Sequence, residues 1–289
     1  MKKLTLFALV TTLGVVSGVY VQQRIGVAEL HRLVSASGSA ASIGSPQPLS
    51  SRIPIVVELF TSEGCSSCPP ADNVLSRLDR EQPIAGAQII ALSQHVDYWN
   101  DLGWRDPYSA AGFSERQREY AGVFRNRGVY TPQMVVDGRY EFVGSNMSKA
   151  RDAIAQSAQS PKAAVQVQLD PAAEGVAAGH LRFKVTVDNL QAVKRDDSAD
   201  VLLAVTESNL RSSVSNGENA GRRLAHSAVV RQLRVIGDLD VKAQGFIAEP
   251  AIALDRDWKR KDLRVVVFVQ EHASRRIIGA GVAPLANLE

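Results

Sequence analysis

The apolar, β-branched run Ile53 to Phe60, interrupted by the charge of Glu58, has the make-up of a buried strand. A polar turn, Thr61-Ser62-Glu63-Gly64, ends it, and Asp72 to Leu78 then places Val74, Leu75 and Leu78 on one face of a helix. Ala87 to Ser93 reads as a second buried strand, Ser114 to Phe124 as a helix charged along one side, and Ser148 to Ser157 as a closing helix. Near Pro161 the period changes to two. Ala163 to Leu169 and Leu181 to Val187 alternate, Val201 to Val205 is more apolar, and Val229 to Ile236, Phe246 to Leu254, Leu263 to Val269 and Arg276 to Ala280 are further strand candidates. Val229 to Arg234 also scores as an amphipathic helix. The pattern predicts an α/β domain over 53–160 and an all-β, sandwich-like domain over 161–289.

Chemistry enters where the first strand meets the first helix. Cys65 and Cys68 are the two cysteines of the chain, and a CxxC between a strand and a helix is the thioredoxin signature. The first domain is therefore expected to be thioredoxin-like. Cys65, at or just before the first helical turn, meets unpaired N–H groups and the positive end of the helix dipole, which favour a thiolate. It is the expected nucleophile, with Cys68 as the more buried resolving thiol. Pro69 and Pro70 suit a helix start because those N–H groups have no intrahelical partner. Glu63 opposes thiolate formation by its charge. A static structural disulfide is the competing reading. A zinc site lacks a second ligand pair, so neither a metal nor any other cofactor is expected.

A second signal lies in Gly128 to Gly138, where Thr131-Pro132 opens an apolar strand that ends in Asp137-Gly138. A cis proline there would shape a substrate groove beside Cys65, with Thr131 presenting backbone groups to an extended peptide. Between the second strand and its helix, His95 to Tyr108 holds two of the three tryptophans and two of the six tyrosines. Trp99 and Trp104 are expected to wall the groove, and His95 and Asp97 to move protons to and from the thiols; the competing reading makes the tryptophans core caps and the two polar residues loop hydrogen-bonders. The polar stretch Asn216 to Arg223, with His226, reads as a solvated hairpin loop; the competing reading is a Gly-rich turn whose two arginines bind an anion or a partner's carboxylates.

Val57 to Asp72, the His95 to Tyr108 segment and Tyr130-Thr131-Pro132-Gln133 together resemble the domain of unknown function 1223 family. The resemblance implies export and a thioredoxin-like fold, and carries no reaction with it. The dipeptide Ser66-Ser67 between the cysteines differs from that of ordinary thioredoxins.

At the N-terminus, Lys2 and Lys3 precede an uncharged apolar stretch from Leu4 to Val21, as in an export signal. Residues 1–23 are read as a signal peptide or an uncleaved anchor to the inner membrane, and 24–52 as a flexible linker rich in Ser, Gly, Ala and Pro. The body behind them is expected in the periplasm or outside the cell. Of the 289 residues 45% are hydrophobic and 22% charged, with a net charge of +3, too mild for a nucleic-acid partner. The expected function is thiol–disulfide exchange on exported proteins, whose partners are protein thiols or disulfides and a redox partner protein. The alternative is a non-catalytic binding module with a static disulfide.

Overall fold

The computed structural model describes residues 52–170, 180–192 and 197–285. Residues 1–23, expected to be an export segment, and all of 24–52, expected to be a linker, except Arg52, lie outside the described residues. Among the described residues no helix is long and apolar enough to cross a membrane.

β1 (Ile53–Thr61) and β2 (Ala87–His95) are parallel neighbours, joined by α1 (Pro69–Glu81), which starts on its two prolines. Ala71, Val74, Leu75 and Leu78 of α1 bury against Ile55, Val57, Leu59, Ile89 and Ala91 of the two strands, the amphipathic spacing predicted above. α2 (Ala111–Phe124) covers the other side of these strands. β3 (Gln133–Val136) pairs antiparallel with β1, and β4 (Tyr140–Val143) with β3. α3 (Met147–Ser157) adds Ala150, Ala153 and Ile154 to the core under α1.

The remaining strands are β5 (Ala163–Leu169), β6 (His180–Asp188), β7 (Ala199–Glu207), β8 (Leu210–Ser213), β9 (Arg223–His226), β10 (Val229–Leu239), β11 (Phe246–Ala248), β12 (Ala251–Ala253), β13 (Leu263–Glu271) and β14 (Ile277–Pro284). They do not form a sandwich behind a thioredoxin-like domain, and that expected fold class is overturned. Twelve strands from both halves make one mixed sheet, ordered β11-β6-β5-β14-β13-β7-β10-β2-β1-β3-β4 with β12 paired to β6, and the described residues hold three α-helices. The seam is β10 against β2, with Val229 opposite Ser93 and the Ser93 N–H donating to Ala228 O at 2.8 Å. One core cluster straddles it: Val56, Ile90, Leu92 and Phe113 pack with Leu202, Ala204, Val230, Val266 and Phe268. Val201, Leu203, Val205, Val265, Val267 and Val269 face the opposite way, into a second cluster with Phe183, Val185 and Val187.

The physical reason is legible in β7 and β13. Both are apolar at successive positions because both faces are covered, as in the interior of a layered sheet, whereas a sandwich strand alternates. β10 carries two irregularities, between Val230 and Gln232 and between Val235 and Gly237. Such bulges break the period of two, which is why its sequence also scores as a helix. Beyond β10 the sheet curls back: a Cβ on Gly237 would stand 2.3 Å from the Phe246 ring of β11.

The charge inside the first run has a structural task. Glu58 is fully buried and accepts from Arg116 Nε at 2.6 Å, from Gln94 Nε2 at 2.6 Å and from the Tyr120 hydroxyl. Arg116 also donates to Gln270 Oε1 at 2.8 Å, so the network pins α2 to β1, β2 and β13.

Candidate disulfide site

The turn after β1 is built from consecutive backbone bonds: Cys65 N–H to Ser62 O and Cys68 N–H to Cys65 O, each 3.2 Å. Cys68 is the N-cap of α1, and Cys65 lies one turn ahead of the helix. The two are joined in a disulfide with a Cα–Cα separation of 5.4 Å. Both cysteines are 0% exposed, so the expected contrast between an accessible Cys65 and a buried Cys68 is absent. Ser66 and Ser67 between them face solvent, and Ser67 Oγ lies 3.3 Å from Cys65 Sγ.

Each wall of this turn is identifiable. Trp99 packs on Gly64, where an added Cβ would stand 3.3 Å from Trp99 Cβ, and its Nε1 donates to Thr131 Oγ1 at 2.8 Å. The Thr131-Pro132 bond is cis. Trp99 thus links the cysteine turn to the proline turn, and Pro132 approaches β1 through Gly144, whose added Cβ would sit 2.6 Å from Leu59 and 3.5 Å from Pro132. Trp104 Nε1 donates to Glu63 Oε2 at 2.8 Å. Glu63 is buried and its other oxygen pairs with His226 Nε2 at 2.9 Å.

His95, fully buried at the end of β2, pairs through Nδ1 with Asp106 Oδ2 at 2.7 Å. Asp106 also accepts from the Glu63 N–H at 2.8 Å and the Tyr108 N–H at 2.9 Å, so one carboxylate fixes the backbone leading into the cysteines. Burial alone would lower the pKa of His95, but the charge and hydrogen bond of Asp106, together with the charges of Asp72 and Glu63, outweigh it and hold the imidazole above its ordinary value. Burial in turn works to raise Asp106, and the His95 charge with the hydrogen bonds it accepts keeps it below the usual carboxylate range. The rings of His95, His226 and Tyr108 meet edge to face, His95 and His226 with centroids 5.0 Å apart. Asp72, one turn into α1, accepts from Thr61 Oγ1 at 2.8 Å, and burial pushes its carboxyl up. Asp97 is occupied elsewhere: Ser114 at the start of α2 takes both its N–H, at 3.1 Å, and its Oδ1, at 2.5 Å.

The roof comes from the second half of the chain. β8 and β9 form a hairpin, and the segment connecting them lies over the disulfide. Asn219, 0% exposed, donates from Nδ2 to Glu63 O at 2.8 Å and Cys65 O at 2.9 Å. Glu218 accepts the Ser66 N–H at 2.9 Å, and its bonds to Ser66 hold its carboxyl below the usual range. Gly217, at φ +74°, sits where a Cβ would be 3.2 Å from Trp104 Cβ. Taking Asn216 to Arg223, with His226, as a solvated loop leaves out Glu218, Asn219 and His226 as parts of the site. Glu63, expected to oppose thiolate formation by its charge, is paired with Trp104 and His226.

The assembly can do two things chemically. It holds a dithiol couple at a helix start, and it sets near that couple the buried acid–base groups Glu63, His95, Asp106 and His226 and the half-buried Asp72. Among the described residues no group of three or more His, Cys, Asp or Glu side chains is arranged to hold a metal ion.

The model of the family described as protein of unknown function (DUF1223) matches residues 56–270. No curated protein matches the chain. Among solved structures, the chain is similar to protein AGR_C_4864 from Agrobacterium tumefaciens, with 27% identity, a TM-score of 0.60, and coverage of 82% of this chain and 96% of that one. It also shares the fold of HBP35 of Porphyromonas gingivalis, with 18% identity, a TM-score of 0.56, and coverage of 82% and 77%.

Proposed function

Because the chain belongs to the DUF1223 family, whose description gives no reaction, we propose from the site itself that it performs thiol–disulfide exchange on exported proteins, outside the cytoplasm. The observation that carries this reading is the Cys65–Cys68 pair at the start of α1, walled by Trp99, Trp104 and the turn at Pro132, with buried acid–base side chains near it. In the dithiol state the Cys65 thiolate attacks a client S–S bond, and the client's leaving thiolate takes a proton. Cys68, deprotonated, then attacks the Cys65 sulfur, the intramolecular bond re-forms, and the second client thiol departs. A dithiol of a redox partner protein supplies the two electrons that reopen the pair. Run backwards, the same steps oxidise a client dithiol.

Burial of both sulfurs adds a condition: exchange requires that the β8–β9 connection withdraw. The same burial favours the second reading, a static disulfide in a binding module. A Cys68→Ser variant separates the two. It is expected to accumulate mixed disulfides through Cys65, while wild type reduces insulin with a dithiol as electron source. Absence of trapped partners and of turnover, also when Asn219 is replaced by Ala to loosen the roof, overturns the exchange reading, and a loss of stability alone is then the mark of a static bond.

A further inference from the structure

On the far side of His226 from the disulfide roof, a cleft of about 510 Å³ opens between α1, the β8–β9 hairpin and β13, lined by Ser76, Asp79, Arg80, Ser208, Asn209, Arg211, His226 and Arg264 among others. Three guanidinium groups border it and one carboxylate. That carboxylate is spent: Asp79 holds Arg264 bidentately at 2.7 and 3.1 Å. Arg80 has a surface pairing with Glu81 at 3.3 Å, its side chain 68% exposed, which water and salt weaken. Arg211 is exposed and has no carboxylate partner among the described residues. The Ser76 hydroxyl accepts from Ser227 and the Ser208 hydroxyl from the Ala228 N–H, which leaves each with its own proton to donate. His226 Nδ1 is buried and has no hydrogen-bond partner among the described residues. Arg80, Arg211 and the two hydroxyls are donors that face the cleft, whereas His226 Nδ1, with Nε2 donating to Glu63, is the acceptor nitrogen of a neutral ring.

A second cavity, of about 330 Å³, adjoins the first and shares Asp79, Arg80 and Arg264 with it. Its remaining lining is largely apolar, with Ile89, Ile90, Ala91, Val266, Val282 and Pro284. A donor-rich, cationic cleft that shares one wall with a largely apolar one suits an anion with an apolar body. We propose that this composite cleft binds a small organic anion, its carboxylate or phosphate head among Arg211, Arg80, Ser76 and Ser208 and its short apolar body against Ile90, Val266 and Val282. Arginine suits the head because its planar fork matches both oxyanions.

The test measures binding alone and is independent of turnover at the disulfide. Acetate, octanoate and inorganic phosphate are titrated into wild-type protein at constant ionic strength, with chloride as the control, and followed by calorimetry and by NMR shifts of the Arg211, Ser76 and Val282 amides. Saturable binding by acetate or phosphate supports the head site and tells a carboxylate from a phosphate preference. Octanoate is expected to bind at least tenfold more tightly than acetate, since each buried methylene contributes about 0.8 kcal/mol. Arg211→Glu, at an exposed position, is expected to weaken every anion at least tenfold, and Val282→Asp to weaken octanoate selectively. Octanoate no tighter than acetate overturns the apolar half on wild-type protein alone, whatever the folding of Val282→Asp. An effect equalled by chloride, or unchanged in Arg211→Glu, overturns the site.

Discussion

Asn219→Ala removes the clasp that closes the roof. Its Nδ2 makes two hydrogen bonds, to Glu63 O at 2.8 Å and Cys65 O at 2.9 Å, from a side chain that is 0% exposed. A net contribution of about 0.5–1.5 kcal/mol per bond puts the loss at about 1–3 kcal/mol. In the variant the two carbonyls are stranded while the loop stays closed and regain water when it opens, so the loss falls on the closed state. If withdrawal of the loop precedes attack on sulfur, the open population rises about 5- to 150-fold, and reduction by a small dithiol accelerates by that factor.

The assay is alkylation of newly exposed thiols, read by mass spectrometry during reduction under conditions where the fold is intact. Hydrogen exchange of the Ser66 amide, which donates to Glu218, reports the opening independently. A control is needed for exposure through global unfolding. Glu58→Gln supplies it, because it weakens the core beneath α2 and leaves the roof contacts in place. Acceleration in Asn219→Ala without acceleration in Glu58→Gln is the expected result. Equal acceleration in both, or none in Asn219→Ala, refutes a local gate.

Two further predictions concern the buried charges. His95 is expected to titrate above its ordinary value of about 6.5, as followed by its ring carbon-bound protons in NMR, and a value at or below that refutes the claim that the carboxylates around it, Asp106 first, outweigh its burial. A raised imidazole stabilises fully below about pH 6.5 and loses that contribution as pH rises through its folded value, while the depressed Asp106 stabilises above about pH 3.9 and loses its contribution as pH falls through its folded value. The pair therefore contributes most between those limits, and Asp106→Asn is expected to lose the most stability there. Glu58→Gln leaves Arg116 buried without its counter-charge and is expected to cost about 3–5 kcal/mol in urea denaturation, whereas Glu58→Leu with Arg116→Leu costs less than the two single changes summed; strict additivity would show that the pair is not coupled.

Local chemistry was legible in the sequence, and long-range pairing was not. The cysteine spacing, the apolar run before it and the tryptophans at 99 and 104 all lie within about one strand and one helix of each other. Their meeting follows from chain connectivity, and the structure brings Cys65, Cys68, Trp99, Trp104, Thr131 and His95 into one neighbourhood. The pairing of Val229 with Ser93 joins segments more than a hundred residues apart. Alternation marks Val229 as part of a strand but says nothing of which edge it meets, so a continuous sheet was read as two domains. Asn219 escaped for a different reason. Asparagine and glycine suit an exposed turn and a buried clasp equally well, and what distinguishes the clasp is the position of two carbonyls on another segment.

Those two carbonyls explain why the roof and the sheet belong together. Cys65 O already accepts the Cys68 N–H at 3.2 Å, and Asn219 fills its second acceptor position. Glu63 O receives the other amide hydrogen of the same side chain. An asparagine serves both only while its backbone is held in place, and an isolated two-stranded hairpin is marginally stable at best. The anchoring comes from the strand that follows. β9 ends at His226, which pairs with Glu63, and two residues later the Ala228 carbonyl accepts the Ser93 N–H where β10 enters the sheet beside β2. Had the second half been a separate domain on a linker, the clasp would have been an interdomain contact with a variable register. Joined to β2 by its own backbone, it is held over the disulfide in one register, and the gate predicted above is the withdrawal of the β8–β9 connection from that register.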